Sequence, residues 1–471
     1  MNFVVFANGA VMIFMAALMS LVALLFPGTR GPFLMAAAAT FLLGASLALS
    51  TRGRLEGFRR HQTFLLTASV WLTAGLAAAL PLHFWGLSLT DAVFEAISGT
   101  TTTGSTVMSG LDTTPHGILF WRALLQWLGG IGFIVTGIAL LPMMKVGGMQ
   151  LFRTESSETD EKELGSAARF AMATLWVYAG ITALCALSYL LGGMSMFDAV
   201  IHSFTTLSTG GYSSHDASFG HFESPFLQWA GTFFMVLASL PFVWYIRVLT
   251  RRQFGSEQVR TFLEILAASI LVLTLWRSWQ EDVPFLTALR ETAFNVVSVV
   301  SSTGYATTDY TLWGPFAVAA FFFLTAVGGC TGSTAGGAKI MRWIILGRAL
   351  RATLGRVRFP HGQFALRYEG RRVGEDVLSG VISYLALYMA SVIGIAVILA
   401  IIGLDFLTAL SGALTAVANV GPGIGPVIGP AGNFAALPDS AKWVLVFGMY
   451  IGRLEMLTVL VVLSARYWRD F

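Results

Sequence analysis

The sequence predicts an all-α polytopic membrane protein, in which a two-helix hairpin precedes four repeated units arranged around one axis. Three observations carry this reading: a composition poor in charge, ten long apolar runs, and a half-helix motif that recurs four times. Of the 471 residues, 55% are hydrophobic and only 11% charged, with a mean hydropathy of +0.72. Soluble chains carry about 25% charged residues. So little polar surface cannot coat a water-soluble protein of this length. Two cysteines, Cys185 and Cys330, exclude a disulfide framework and a cysteine-rich metal site. The net charge of +4 is modest and reads as topology, not nucleic-acid binding.

A membrane crossing needs about 20 mostly apolar residues at ~1.5 Å each. Ten segments qualify: 3–26, 32–50, 64–82, 118–142, 168–191, 226–249, 260–277, 314–350, 376–402 and 440–465. The first lacks a basic leader and a small-residue cleavage site, so it is kept as a span and not as a signal peptide.

Loop charge sets the orientation. One set of connections holds Arg52, Arg54, Arg59, Arg60, Lys145, Arg153, Lys162, Arg169, Arg247, Arg251, Arg252 and Arg260. The same set continues with Lys339, Arg342, Arg348, Arg351, Arg356, Arg358, Arg367, Arg371, Arg372, Arg466 and Arg469. The opposite set holds only Arg30, Arg122, Arg277, Arg290 and Lys442, and Arg453 falls inside a span. Twenty-three of the 29 basic residues thus lie on one side, which places both termini in the cytoplasm.

Four of the opposite connections share one pattern. Thr90–Gly99 reads as a half-apolar helix and leads into Thr100–Thr106, with Thr102, Thr103 and Gly104 at its centre. Phe197–Phe204 leads into Ser208, Thr209, Gly210, Gly211 and Tyr212. Glu291–Phe294 leads into Ser302, Thr303, Gly304 and Tyr305, and Phe406–Leu410 leads into Asn419, Val420, Gly421, Pro422 and Gly423. In the second copy the Ser-Thr-Gly pattern favours Gly210, whereas spacing from Asp198 favours Gly211. A half-helix of about 10–14 residues is too short to span and is a re-entrant candidate. Non-helical backbone at membrane depth is tolerated where it lines a cavity or packs in protein. Four strands of this kind could present rings of carbonyl oxygens that replace a cation's hydration shell. All four lie on the same side, so the repeats are parallel and not inverted. The units divide the chain at 1–62 (hairpin), 63–166, 167–258, 259–374 and 375–471.

On these residues the chain resembles the Trk/Ktr/HKT superfamily of potassium transporters, and within it the bacterial TrkH-type branch, which also carries the extra leading hairpin. The resemblance implies four membrane-pore-membrane repeats around a pseudo-fourfold pore. Thr102, Thr103, Gly104, Ser208, Thr209, Gly210, Ser302, Thr303, Gly304, Asn419, Val420 and Gly421 then form the selectivity filter. In this superfamily four filter glycines imply K+ selectivity, and the resemblance implies a multi-pass protein of the bacterial inner membrane.

The eighth segment is interrupted by Gly328, Gly329, Cys330, Thr331, Gly332, Ser333, Thr334, Ala335, Gly336 and Gly337. Five glycines in ten residues break a helix, at about 1 kcal/mol each relative to Ala. The alternative is a small-residue helix-packing patch. A phosphate loop is excluded because Ala338 stands where Lys is required. The last span buries Arg453 within Gly452-Arg453-Leu454-Glu455, and an intramembrane arginine faces a cavity or a partner. By resemblance, residues 328–337 form a gate loop and Arg453 projects into the pore beside it. A fixed charge 5 Å from a cation repels it by about 3 kcal/mol at an effective dielectric of 20. Glu455 lies two residues away and cannot face Arg453 on a helix, so a tie to a neighbouring repeat is expected.

Asp91 and Asp198 are read as helix N-caps. Glu95 faces either the outer vestibule or a neighbour. His202 and His215 show no ligand spacing, and the acidic run 155–163 reads as a solvated face. No catalytic constellation is visible, so the chain is not read as an enzyme. No nucleotide site is expected on it. The resemblance implies a homodimer and a cytosolic TrkA-type nucleotide-binding regulatory subunit. The basic 339–372 connection suits either such a partner or anionic membrane lipid. The expected activity is K+ uptake through a gated, channel-like pore, the alternative being a K+ symporter coupled to H+ or Na+.

Overall fold

The structure is a computed structural model that describes residues 2–51, 62–139 and 163–469. Arg52, Arg54, Arg59, Arg60, Lys145, Arg153 and Lys162, with most of the acidic run 155–163, lie outside the described residues. The described chain is overwhelmingly helical, with one two-residue hairpin, β1 (Arg367–Tyr368) and β2 (Arg371–Arg372).

The hairpin α1 (Asn2–Leu25) and α2 (Arg30–Thr51) packs through small residues. A Cβ on Gly9 would come 2.7 Å from the Gly44 carbonyl oxygen. Buried Asn8 donates to Ser69 Oγ (2.8 Å) and accepts from Thr73 Oγ1 (2.7 Å), which pins α1 to α3 (Gln62–Trp85).

Beyond the hairpin, a helix, a short half-helix and a second helix recur. The half-helices are α4 (Leu89–Thr100), α7 (Met196–Leu207), α11 (Phe285–Val300) and α15 (Phe406–Ala418). They run from 12 to 16 residues, or about 18–24 Å at 1.5 Å per residue, short of a ~30 Å hydrocarbon core. Their inner turns are buried apart from half-buried Phe204. Each follows a longer helix: α3, α6 (Glu163–Leu191), α10 (Glu257–Gln280) and α14 (Glu375–Ile402). Ser88 and Ser195, not the expected Asp91 and Asp198, are the N-caps. Each Ser hydroxyl accepts from the backbone N–H of the Asp three residues on and donates to its carboxylate. The Ser-x-x-Asp spacing is that of a capping box, but the carboxylate accepts from the Ser hydroxyl and not from its backbone N–H. Asp405 caps α15 directly, accepting from Thr408 N (3.0 Å).

Seven described helices are long and apolar enough to cross a membrane. The second helix of the first unit, α5 (His116–Ala139), is one of them. Two expected single spans are instead bent pairs. α8 (Pro225–Ala238) and α9 (Phe242–Arg251) meet at 87° across Ser239-Leu240-Pro241, where Pro241 has no N–H for a continuing helix. α16 (Asp439–Arg453) and α17 (Leu457–Leu463) meet at 114°, with Glu455 in the left-handed region at φ 58°. The eighth segment is broken as expected: α12 (Pro315–Val327) ends at Gly328, and α13 (Ile340–Arg358) begins after a buried loop. The three breaks meet inside the molecule. Cys330 N donates to Ser239 O (3.0 Å), Phe242 N to Gly332 O (2.9 Å), and Arg453 Nη1 to Thr334 O (2.9 Å).

Candidate functional site: four capped half-helices around one axis

The four half-helices end alike. The N–H groups of Thr102, Thr209, Ser302 and Asn419 bond to the carbonyl three residues back, at 3.0–3.3 Å. Those of Thr103, Gly210, Thr303 and Val420 bond to the carbonyl five residues back, at 2.8–3.1 Å. This pair of bonds is the Schellman motif. Its left-handed residue is ordinarily Gly, but here Thr102, Thr209, Ser302 and Asn419 take φ of 52–58°. A side chain in that region costs about 1–2 kcal/mol, which the buried surroundings must offset. Two residues on, Gly104, Gly211, Gly304 and Gly421 take φ of 74–103°.

The register therefore makes Gly211, not Gly210, the equivalent of the other three glycines. Each of the four stands thirteen residues after the equivalent position in its half-helix: Asp91, Asp198, Glu291 and Thr408. The Ser-Thr-Gly match misleads by one residue because Ser208 still belongs to the helix cap, its N–H bonding Phe204 O.

These glycines close a ring. A Cβ on Gly104 would land on the Gly210 carbonyl oxygen, one on Gly211 on that of Thr303, and one on Gly304 on that of Val420. A Cβ on Gly421 would come 2.9 Å from Thr103 O, which returns to the first strand. Each glycine thus abuts the residue before the equivalent glycine of the next unit, and no side chain fits there. All four glycines line one open cavity, together with Ser105 and Tyr212.

The strands are braced from behind by groups the sequence reading did not identify. Gln126 Nε2 donates to Gly210 O (2.6 Å), and its Oε1 accepts from Tyr212 N (3.0 Å). Tyr212 donates to Glu95 O (2.8 Å) in the first half-helix, and Tyr305 donates to His202 O (3.3 Å) at the equivalent place in the second. Of the two places expected for Glu95, vestibule or neighbour, the structure gives the neighbour. It is fully buried against Arg122 Nε (2.7 Å), Val107 N (3.0 Å) and Thr106 Oγ1 (3.0 Å). Arg122 is accordingly no loop residue: it lies buried 4.1 Å from the Tyr212 ring centroid and donates to Ser213 O (3.1 Å). Lys442, also assigned to a loop, is buried against Asp91 Oδ1 (2.6 Å). The signal was present as a charged residue of each sign at half-helix depth, but the partners are 27 and 351 residues apart.

The glycine-rich loop lies directly against these caps. Gly336 N donates to Ser302 Oγ (2.6 Å) and Gly337 N to Ala418 O (2.9 Å). Gly328, Gly332 and Gly337 take φ of 75–82°, open to glycine at little cost. Gly329, Cys330, Thr331, Ser333 and Ala335 are all buried in the loop. Thr334 Oγ1 donates to Ala238 O (3.0 Å), while its own carbonyl receives Arg453. Buried Arg453 also donates to Gly129 O (3.3 Å), and its guanidinium lies 4.1 Å from the Phe133 ring centroid. Glu455 does reach another unit, pairing with buried Arg342 at 2.5 Å.

At the rim of the cavity His215 joins residues that its spacing did not reveal. Its Nδ1 lies 2.5 Å from Asp112 Oδ1, in the first unit, and its ring stacks on His221 with centroids 3.6 Å apart. The hydrogen bond from His215 holds the Asp112 carboxyl below the usual carboxylate range. His202 is buried and satisfied, by Asp198 O (2.9 Å) and Ser213 Oγ (3.0 Å).

Comparison with known proteins adds relatives to this geometry. A family model for TrkH, a cation transport protein, matches residues 31–470. The chain is 47% identical over 439 residues to the Trk system potassium uptake protein TrkI of Halomonas elongata, covering 92% of this chain and 89% of that protein. It is 34% identical to the Trk system potassium uptake protein TrkH of Escherichia coli, covering 91% and 90%. The crystal structure of the potassium transporter TrkH from Vibrio parahaemolyticus matches with a TM-score of 0.90 at 30% identity, covering 99% of this chain and 100% of that one.

Proposed function

Because the chain belongs to the TrkH family of cation transport proteins, we propose that it is the potassium-conducting subunit of a Trk-type uptake system. The carrying observation is the closed ring of Gly104, Gly211, Gly304 and Gly421, each abutting the carbonyl of the next strand. A K+ ion entering the cavity exchanges its water for the filter carbonyls of Thr102–Gly104, Thr209–Gly211, Ser302–Gly304 and Asn419–Gly421. Rigid bracing by Gln126, Tyr212 and Tyr305 keeps that ring from shrinking around Na+. The ion then meets residues 328–337, which obstruct its path while Arg453 holds Thr334. Displacement of the loop opens the way, and the inside-negative potential drives uptake by ~2.3 kcal/mol per charge per 100 mV.

We place the chain in a bacterial inner membrane with both termini cytoplasmic, on the loop-charge bias, and as a homodimer. α13 ends in a face that combines exposed Leu354, Val357 and Phe359 with Arg351, Arg356 and Arg358. This face suits a cytosolic TrkA-type nucleotide-binding partner. A coupled H+ or Na+ symporter on the same scaffold differs in reversal potential, which would follow two gradients instead of one. The test is K+ tracer uptake into proteoliposomes with Na+ as competitor, for the wild type and Gly104→Ser. Selective uptake that the substitution weakens or relaxes toward Na+ supports the reading. Uptake that remains as K+-selective in a folded Gly104→Ser protein contradicts it.

A further inference from the structure

We propose that Asp112, His215 and His221 form a site for a divalent transition metal of the Zn2+ type at the rim of the cavity. Among the described residues these three bring one ligand atom each to within 4.8 Å of one another. They come from two units that are distant in sequence, the turn Leu111–Thr113 and the segment that ends in the turn Ser218–His221. Two imidazoles and one carboxylate with a position left open to water make a three-ligand set for Zn2+. Imidazole nitrogen selects such a metal over K+, Mg2+ or Ca2+, which prefer oxygen.

The surroundings hold the ligands in place. The Asp216 carboxylate accepts from Gly110 N (2.9 Å) and Leu111 N (3.1 Å), and Asp216 N donates to Asp112 Oδ2 (3.3 Å). These bonds clamp the two loops together at the base of the trio. Asp198 Oδ1 lies 3.4 Å from His215 Nε2, on the far side of the ring from Asp112. That carboxylate is within ion-pair reach of the ring, but no hydrogen bond joins the two, and Asp198 Oδ1 instead accepts from Ser214 Oγ (2.7 Å). The His215 and His221 rings are parallel within 1°, so their lone pairs run side by side and do not converge. His221 is exposed at the end of its turn and Asp112 is half-exposed. Both have room to rotate about an ion ~2.0–2.2 Å from each ligand atom.

The consequence follows from position. His215 and Asp216 line the same cavity as the four glycines. A bound dication there opposes the approach of a monovalent cation and ties the outer loops of two units together. This effect on uptake rests on the potassium reading, but metal binding does not.

The test titrates ZnCl2 into the full-length, tag-free protein in detergent by calorimetry, beside the double variant Asp112→Asn/His221→Asn. The expected result is one Zn2+ per chain, with affinity at least tenfold weaker in the folded variant. Absence of binding in the wild type, or equal affinity in both, overturns the site. K+ uptake into proteoliposomes with external Zn2+ then reads the consequence: slowing in the wild type and not in the variant supports it. Binding without slowing overturns the effect on conduction. Absence of K+ uptake even in Zn2+-free buffer is a failure of the potassium reading and leaves the binding result standing.

Discussion

Replacing Arg453 by Ala tests the closed state of the loop. In the structure Arg453 Nη1 bonds Thr334 O at 2.9 Å, and this is the arginine's link to residues 328–337. A hydrogen bond from a charged donor contributes about 1.5–3 kcal/mol. If that bond is made only with the loop closed, its loss shifts the closed-to-open ratio by about 10–150-fold, at 1.4 kcal/mol per tenfold. The loop should not unfold. It remains held by Gly336 on Ser302, Gly337 on Ala418, Thr334 on Ala238 and Cys330 on Ser239. The assay is K+ tracer influx into proteoliposomes without any regulatory partner, normalised to monodisperse protein. Influx should rise at least tenfold over the wild type. Arg453→Gln, which keeps a donor without the charge, should fall between them. Unchanged or lower influx in a folded Arg453→Ala protein would refute the latch.

Two other substitutions probe the bracing. Glu95→Gln leaves Arg122 buried without its carboxylate, and breaking a buried pair costs about 3–5 kcal/mol; thermal unfolding in detergent should show a clear fall, and an unchanged midpoint would count against a structural role. Tyr305→Phe removes the hydroxyl that meets Thr205 Oγ1 (2.5 Å) and His202 O (3.3 Å). At about 0.5–1.5 kcal/mol per bond, K+ over Na+ preference should drop several-fold with uptake retained, as read by competition; full preference would show that the tyrosine does not hold the strand.

Much of this architecture was legible because glycine and hydroxyl tracts inside apolar segments have few helical uses. That logic located the four half-helices, the strands after them and the break at Gly328–Gly337. The break at Pro241 carried a readable signal, since proline interrupts a helix wherever it stands in the interior. The bend after Arg453 did not. Glu455 is turned into the left-handed region where it meets Arg342, a contact 113 residues distant. Gly210 and Gly211 could not be separated by motif, because cap register is set by half-helix length and not by the identity of the tripeptide. The Asp112–His215 contact crosses 103 residues, so local spacing was silent about it. Charged residues at half-helix depth misled in the other direction. Loop counting assigned Arg122 and Lys442 to the outer connections, and tertiary ion pairs bury both.

The proposed cation site, shared by four strands on a common axis, can be observed with a heavy ion. Anomalous scattering from crystals grown in Tl+, a heavy mimic of K+, tests it most directly. The expected peak is ringed by the strands at Thr103, Gly210, Thr303 and Val420, weakened by excess K+ and absent in Gly211→Ser. Tl+ density elsewhere, with none inside the ring, would contradict it.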